Sequence, residues 1–448
     1  MPERKITSRT WIVLALLAVT GQIAWAVENS WFNTFVYDML TPDPNAVAWM
    51  VAASAITATL TTLLMGTLSD RARWRMGRRK PLIFFGYILW GISTIIFPTV
   101  AYIQTTALAV TLVIIADAAN DPFDFKSVSL AIFAVIALDC MMTFFGSTAN
   151  DAAFNAWTAD IATTKQRGRV EGVLNMAVFI AQIVAMAAAG ALIDQVGYFT
   201  FFYVLGGIVI LSGLIGGWLL QDTPAPAEKP TRSFWAEFVD LFQWKTVREN
   251  TTLFLLLLNI MIANIGAQIA MPYLIIYLEN FIGMSKTDFS IVGGIVMLGS
   301  ALLAIPFGIL ADRWDRRKMI MLCTVVGALG GAVFSMLDTL LPIGLAGLVW
   351  QAFGMAAGVA AVAWLKDLLP VESRGRFLGV RMIFWIAIPM VLGPSIGSAL
   401  IQSNGIPTVV NGQAGFIPTP IIFQVGALVT LLALIPLFIM GRRKSAEK

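Results

Sequence analysis

With 448 residues, 58% of them apolar and 12% charged, and a mean hydropathy of +0.80, the chain lies far from soluble domains, in which about a quarter of residues are charged. This excludes a soluble globular enzyme and a nucleic-acid-binding module, and it requires a membrane protein with the lipid bilayer as its solvent. Histidine is absent, so proton handling must rest on carboxylates rather than imidazole.

The first apolar run, behind the basic MPERKITSRT, is too long for a cleavable leader and lacks a small-residue cleavage site, so it is expected to remain as a helix. Runs of about 20 residues suit a hydrocarbon core of ~30 Å. They are predicted over residues 10–36, 46–69, 81–100, 128–159, 168–193, 199–220, 251–279, 288–311, 319–337, 342–366, 377–401 and 419–440. Ten-residue alternating segments are missing, so the fold class is all-α, with twelve transmembrane helices. A further apolar piece, TTALAVTLVIIADAAN followed by DPFDFK, lies between Val100 and Lys126. A thirteenth span would invert every later loop, so this piece is read as an outer-side excursion, re-entrant or interfacial. Asp117, Asp121 and Asp124 are then an exposed acidic loop rather than a cation site. The one long polar connection, with DTPAPAEKPTR at its start, divides the chain into a bundle over 1–220, a linker over 221–250 and a bundle over 251–448. Cys140 and Cys323 sit in apolar runs and are read neither as a disulfide nor as metal ligands. No metal and no cofactor is expected.

Loops rich in Lys and Arg stay cytoplasmic. With both termini inside, 28 of the 30 basic residues fall on the inner side, leaving only Lys126 and Lys286 outside. The chain also repeats itself. GTLSDRARWRMGRRK answers GILADRWDRRK, pairing Gly66 with Gly308 and Asp70 with Asp312 at an offset of 242. DIATTKQRGRVEG answers DLLPVESRGRFLG, pairing Asp160, Arg167 and Arg169 with Asp367, Arg374 and Arg376 at an offset of 207. Both halves thus carry the same two inner-face motifs in the same orientation, the plan of a transporter that rocks two parallel halves about a central site.

On these motifs the chain resembles a major facilitator superfamily permease, whose pattern is Gly-x-x-x-Asp-Arg followed by a basic triplet between helices two and three. The longer first copy, SDRARWRMGRRKP, is similar to that of the glycoside-cation symporters of melibiose and sucrose type. The resemblance implies two six-helix bundles, alternating access, and cation-binding acids in the first half. The fourth helix departs from the sucrose-type pattern, because Asn155 stands where those permeases carry an Arg.

Carboxylates inside a span cost about 2.5 kcal/mol or more and mark function by default. Three qualify: Glu28 in the first helix, and Asp139 and Asp151 in the fourth. At about 1.5 Å per residue, Glu28 and Asp139 lie at one level, roughly 28 and 31 Å from the inner face, and Asp151 lies near mid-membrane at roughly 14 Å. Desolvation disfavours a bare mid-membrane carboxylate until a proton or sodium ion is bound, so Asp151 leads as the coupling residue, followed by Glu28 and Asp139. A structural bond from Asp151 to Asn155 is the competing reading.

For solute contact, Gln22, Asn29 and Asn33 fall within about 40° of one another on the first helix, bordered by Trp25. The fourth helix adds Asn150, Asn155 and Trp157, the fifth adds Gln182, and the seventh adds Asn264 and Gln268. Neutral amides with flat aromatic rings suit hydroxyl-rich solutes. No cavity-facing Arg or Lys is identified, which argues against anionic solutes. The motif residues Gly66, Asp70, Arg71 and Arg78, with Gly308, Asp312 and Arg313, are read as a latch pairing with Arg167 and Arg374. The two glycines are expected to allow close helix approach.

The expected function is symport of a neutral sugar or polyol with H+ or Na+, by a cell-membrane protein working as a monomer. The alternative is a drug or lipophile exporter on the same fold. A receptor or scaffold fits poorly with complete motifs in both halves, and neither a nucleotide-binding loop nor an enzyme nucleophile in a recognisable setting occurs.

Overall fold

The computed structural model describes residues 6–105, 130–162, 166–222, 248, 250–368 and 380–446. From residue 106 onward the predicted excursion lies outside the described residues, as do Asp117, Asp121, Asp124, Arg374 and nearly all of the linker.

Among the described residues, twelve helices are long and apolar enough to cross a membrane. They are α1 (Ser8–Leu40), α2 (Pro44–Asp70), α3 (Lys80–Tyr102), α4 (Ala131–Ile161), α5 (Arg167–Ala187), α6 (Ala189–Leu219), α7 (Thr251–Asn280), α8 (Lys286–Leu310), α9 (Arg316–Phe334), α10 (Leu340–Leu368), α11 (Val380–Asn404) and α12 (Ile421–Gly441). Their starts follow local chemistry. Asp43 accepts from Asn45 N ahead of Pro44 in the first turn of α2. A Ser285–Asp288 capping box opens α8, and Asp315 accepts from Lys318 N at the start of α9. The turn predicted between residues 193 and 199 falls at Gly197, where φ 76° and ψ 165° interrupt the helical path within α6.

The chain divides into two compact units, Met1–Ala227 with Pro407–Phe416, and Glu228–Ile406 with Ile417–Lys448. In the first unit α1 packs on α5 and α6, α2 on α4, and α3 on α4 and α6; in the second, α7 packs on α11 and α12, α8 on α10, and α9 on α10 and α12. The internal repeat is therefore a repeat of packing as well as of motif. Small residues set a close crossing in each unit, α3 on α6 in the first and α7 on α12 in the second. A Cβ on Gly206 would lie 2.6 Å from the Gly91 carbonyl oxygen, and one on Gly426 would lie 2.6 Å from the Gly266 carbonyl oxygen. The close approach expected at Gly66 and Gly308 is not found, since a Cβ at either would meet nothing within 4 Å.

A β-hairpin was not predicted. Strands β1 (Ile406–Val410) and β2 (Gln413–Ile417) are joined by Asn411 and Gly412 at φ 51° and 79°. Its residues Pro407–Phe416 belong to the first unit, where Phe416 N donates to Pro42 O at 3.1 Å and Asn411 Nδ2 to Asp38 O at 2.9 Å.

Candidate functional site

The site is built where helices leave the regular α form. In α1, Glu28–Phe32 and Val36–Leu40 are π-helical, as is Ser147–Phe154 in α4. π segments displace carbonyls from their usual donors and recur at functional sites. In α1 polar side chains take up several of these carbonyls. Asn29 Nδ2 donates to Trp25 O (2.8 Å), Ser30 Oγ to Ala26 O (2.7 Å), and Asn33 Nδ2 to Asn29 O (3.2 Å). The amide stripe read as solute-facing is thus partly spent on its own helix, and Asn33 is only 1% exposed.

Glu28 faces two hydroxyls, and Asp139, expected at the same level, is close enough to act on it electrostatically. Thr143 Oγ1 donates to Glu28 Oε1 at 2.9 Å, and Ser54 Oγ lies 3.3 Å from the same oxygen and 2.6 Å from Thr143 Oγ1. Both carboxylates are buried, and Glu28 Oε2 and Asp139 Oδ1 have no hydrogen-bond partner among the described residues. Ser54 and Thr143 were missed in the sequence. The one available signal was the i, i+4 spacing of Asp139 and Thr143 along α4.

Asp151 stands apart, half-buried against Asn150, Ser147 and Trp25. Asn150 Nδ2 donates to Asp151 Oδ1 at 3.3 Å, and the Tyr87 hydroxyl lies 3.1 Å from Asn150 Oδ1 and 2.8 Å from Leu17 O. The alternative partner Asn155 is exposed, and its backbone O accepts from Thr158 Oγ1 at 2.8 Å. The intervening π segment explains the shift, because its wider turn takes position i+4 off the axis through Asp151. Trp25 tilts at 49° against Trp90, with centroids 5.2 Å apart, and Tyr87 lies 5.6 Å from Trp90. These two α3 aromatics, three residues apart on one helix face, complete the wall.

The remaining predicted contacts scatter. Trp157 is fully buried with Nε1 donating to Gln221 O at 3.1 Å, so it is part of the packing of the first unit and not a solute contact in this structure. Gln22 and Gln182 are half-buried. In the second unit Gln268 is half-buried, and Asn264 Nδ2 donates to Trp385 O at 3.3 Å beside the π segment Ile383–Ala387. Arg381, counted with the inner-loop basic residues, lies in the first turn of α11 with its guanidinium 5.0 Å from the Trp385 ring centroid.

The motif ends are ordered by ion pairs. Arg78 pairs with Asp160, and Arg79 reaches Asp70 (2.6 Å), Asp160 (3.3 Å) and Ser69. In the second unit Arg316 pairs with Asp367. Aligned on their basic triplets, Arg78 and Arg316 are equivalent, as are Asp160 and Asp367, so one ion pair recurs in both repeats. The expected partner of Asp70, Arg167, is instead exposed, because Arg79 on the adjoining turn reaches Asp70 first. Gly77 adopts φ 108° against the Asp222 side chain, whose Oδ2 accepts from Arg79 N (2.7 Å) and Lys80 N (3.1 Å) at the start of α3.

Two six-helix units of like packing, with acids buried among apolar spans, define a multi-pass membrane transporter. The chain belongs to the major facilitator superfamily, whose family model it matches over residues 10–279 and 256–448. It is 34% identical over 135 residues to the inner membrane transport protein YajR of Escherichia coli (strain K12), a match spanning 30% of this chain and 29% of that protein. It is 19% identical over 362 residues to multidrug resistance protein 2 of Bacillus subtilis (strain 168), covering 80% of this chain and 81% of that one. The fold is similar to that in the crystal structure of the nucleoside transporter NupG, with TM-score 0.71 and 13% identity over 96% of this chain and 99% of that chain.

Proposed function

We propose that the protein is a secondary active transporter of the cell membrane that moves a neutral polar solute, a sugar or similar polyol, together with H+ or Na+ by alternating access. The observation that carries this reading is the buried Glu28–Asp139 pair, two acids with two unpartnered oxygens in an apolar bundle. Such a pair calls for a cation. Asp151, bonded to Asn150, is close enough to act electrostatically on both Glu28 and Tyr87. A solute bonded there would sense whether the cation is bound. The neutral amides favour hydroxyl-rich solutes, and the longer motif copy supports a glycoside-cation type. The motif ion pairs would hold the inner ends of the helices while the outer side is open, and the protein would work as a monomer.

The test is uptake by proteoliposomes under imposed pH or sodium gradients with a panel of neutral sugars. Accumulation under a gradient is the expected result, and sugar binding without flux would sink the reading. Asp151→Asn is expected to lose uphill uptake while keeping exchange; full concentrative activity in that variant removes Asp151 from the coupling path. A second reading, export of drugs or lipophiles, is favoured by the relatedness to multidrug resistance protein 2 over 80% of the chain. Efflux of hydrophobic cations by protein inert toward sugars would decide for it.

A further inference from the structure

We infer that the first unit binds one anionic glycerophospholipid of the inner leaflet in a groove between α2 and α3, with its phosphate on Arg75 and an acyl chain laid along α3. This goes beyond the transport reading and depends on neither the solute nor the coupling ion.

The two motif copies differ at this place. After its Asp-Arg pair the first copy runs ARWRMG before the basic triplet, where the second has only WD. In the second copy Asp315 caps α9, accepting from Lys318 N. In the first, the longer turn sets Trp74, Arg75 and Met76, all exposed, around a cavity of about 490 Å³. Arg78 and Arg79 are engaged with Asp160 and Asp70, whereas no carboxylate among the described residues pairs with Arg75. The extra turn thus brings an uncompensated cation to the groove.

Beyond that turn the lining is apolar. Leu82, Phe85 and Leu89 fall at i, i+3 and i+7 on one stripe of α3, joined by Met65 of α2 and by Phe144 and Thr148 of α4. A Cβ on Gly86 would lie 2.6 Å from Ala149 Cβ, so α3 and α4 close against each other here. Phe85, Leu89 and Phe144 are exposed, which leaves the groove open to the bilayer. Thr148 is 4% exposed, and its Oγ1 has no hydrogen-bond partner among the described residues, which leaves a donor open to an ester oxygen of the lipid.

Length and charge select the occupant. From Lys80 at the start of α3 to Leu89 is about 14 Å at ~1.5 Å per residue, close to half of a ~30 Å hydrocarbon core, which is one leaflet. The basic loops lie on the inner side, so Arg75 and Trp74 stand at headgroup level, where indole rings settle and guanidinium groups bind phosphate. Basic pockets between spans on that side favour anionic headgroups. A peptide would need partners for its own backbone groups, and the lining offers polar side chains only at Trp74, Arg75 and Thr148.

The experiment is native mass spectrometry of the full-length protein released from nanodiscs of equal parts phosphatidylglycerol and phosphatidylcholine with matched chains. One phosphatidylglycerol is expected to stay bound at collision energies that strip phosphatidylcholine. Arg75→Gln should lower that retention by about fivefold, the effect of one basic residue at the membrane surface. Arg73→Gln makes the same charge change at an exposed residue outside the groove and should leave retention within about twofold. Leu82→Trp, which fills the groove and keeps Arg75, should lower it as Arg75→Gln does. Excess glycerol phosphate should not displace the lipid; displacement would reduce the site to a surface phosphate contact and overturn the groove. Equal retention of both lipids by the parent, or equal loss in the two arginine variants, would show general attraction to a basic surface and overturn the site, as would full retention in Leu82→Trp. Both arginine variants change exposed side chains and keep the fold, so their comparison decides the matter even if Leu82→Trp unfolds.

Discussion

Glu28→Gln is expected to lower the accumulation ratio of the solute from about tenfold to about one under an imposed tenfold cation gradient, which holds about 1.4 kcal/mol. The argument is thermodynamic. Gln keeps the shape of the side chain and can still accept from Thr143, but it cannot carry the charge that a cation must neutralise. Without that charge the bound and unbound states differ little in cation affinity, and a ligand with no differential affinity shifts no equilibrium. Solute would still cross down its own gradient, so counterflow should persist when net concentration does not. Asn29→Ala is the matched control, because Asn29 is exposed and its amide serves the Trp25 carbonyl of its own helix. Its accumulation ratio should stay within about twofold of the parent, since an exposed substitution away from the carboxylates changes free energies by within about 0.5 kcal/mol. Loss of accumulation in Asn29→Ala with retention in Glu28→Gln would reverse the assignment of cation and solute roles on α1.

Much of this arrangement was legible in the sequence, and the rest fails to show for identifiable reasons. The spans and the repeat stand out because membrane thickness fixes run length and the motifs keep their residue types. The nearness of Glu28 and Asp139 is what helical rise alone leads one to expect of two acids at similar heights on their helices. The hydroxyls of Ser54 and Thr143 on Glu28 did not show, since Ser and Thr in apolar helices most often bond their own backbone and leave no pattern. The π segment in α4 spoiled the assignment of Asn155 to Asp151, because register arguments assume about 3.6 residues per turn throughout. Trp157 was misjudged for a different reason: aromatic rings serve packing and recognition equally well, and only burial separates the two. The hairpin is a plainer omission. IPTVVNGQAGFI carries an Asn-Gly pair between β-prone residues, the strongest short-range hairpin signal, inside the connection between two spans. Anchoring the repeat on Asp70 and Asp312 also hid the shared ion pair, because the first copy holds four more residues between that Asp and its basic triplet.

That ion pair supplies the second large effect. Asp160→Asn is expected to destabilise the protein by about 2 kcal/mol, whereas Asp367→Asn, its repeat equivalent, should cost within about 1 kcal/mol. Burial accounts for the difference. The Arg78 and Asp160 side chains are 5% and 26% exposed, and Arg79, at 4%, leans on the same carboxylate. Removing the Asp160 charge leaves Arg78 desolvated with a neutral amide in place of its anion, while Arg79 retains Asp70. An uncompensated buried charge costs about 3–5 kcal/mol in full, reduced here by the partial access of water to Asp160. The Arg316 and Asp367 side chains are 29% and 62% exposed, so water replaces the lost partner at little cost. Thermal or denaturant unfolding of both variants in the same detergent measures the comparison directly. Arg78→Met combined with Asp160→Asn should recover part of the loss, because the stranded charge is gone along with its partner. Equal losses in the two halves, or no recovery in the double variant, would show that the first-unit pair is held by something other than burial of its charges.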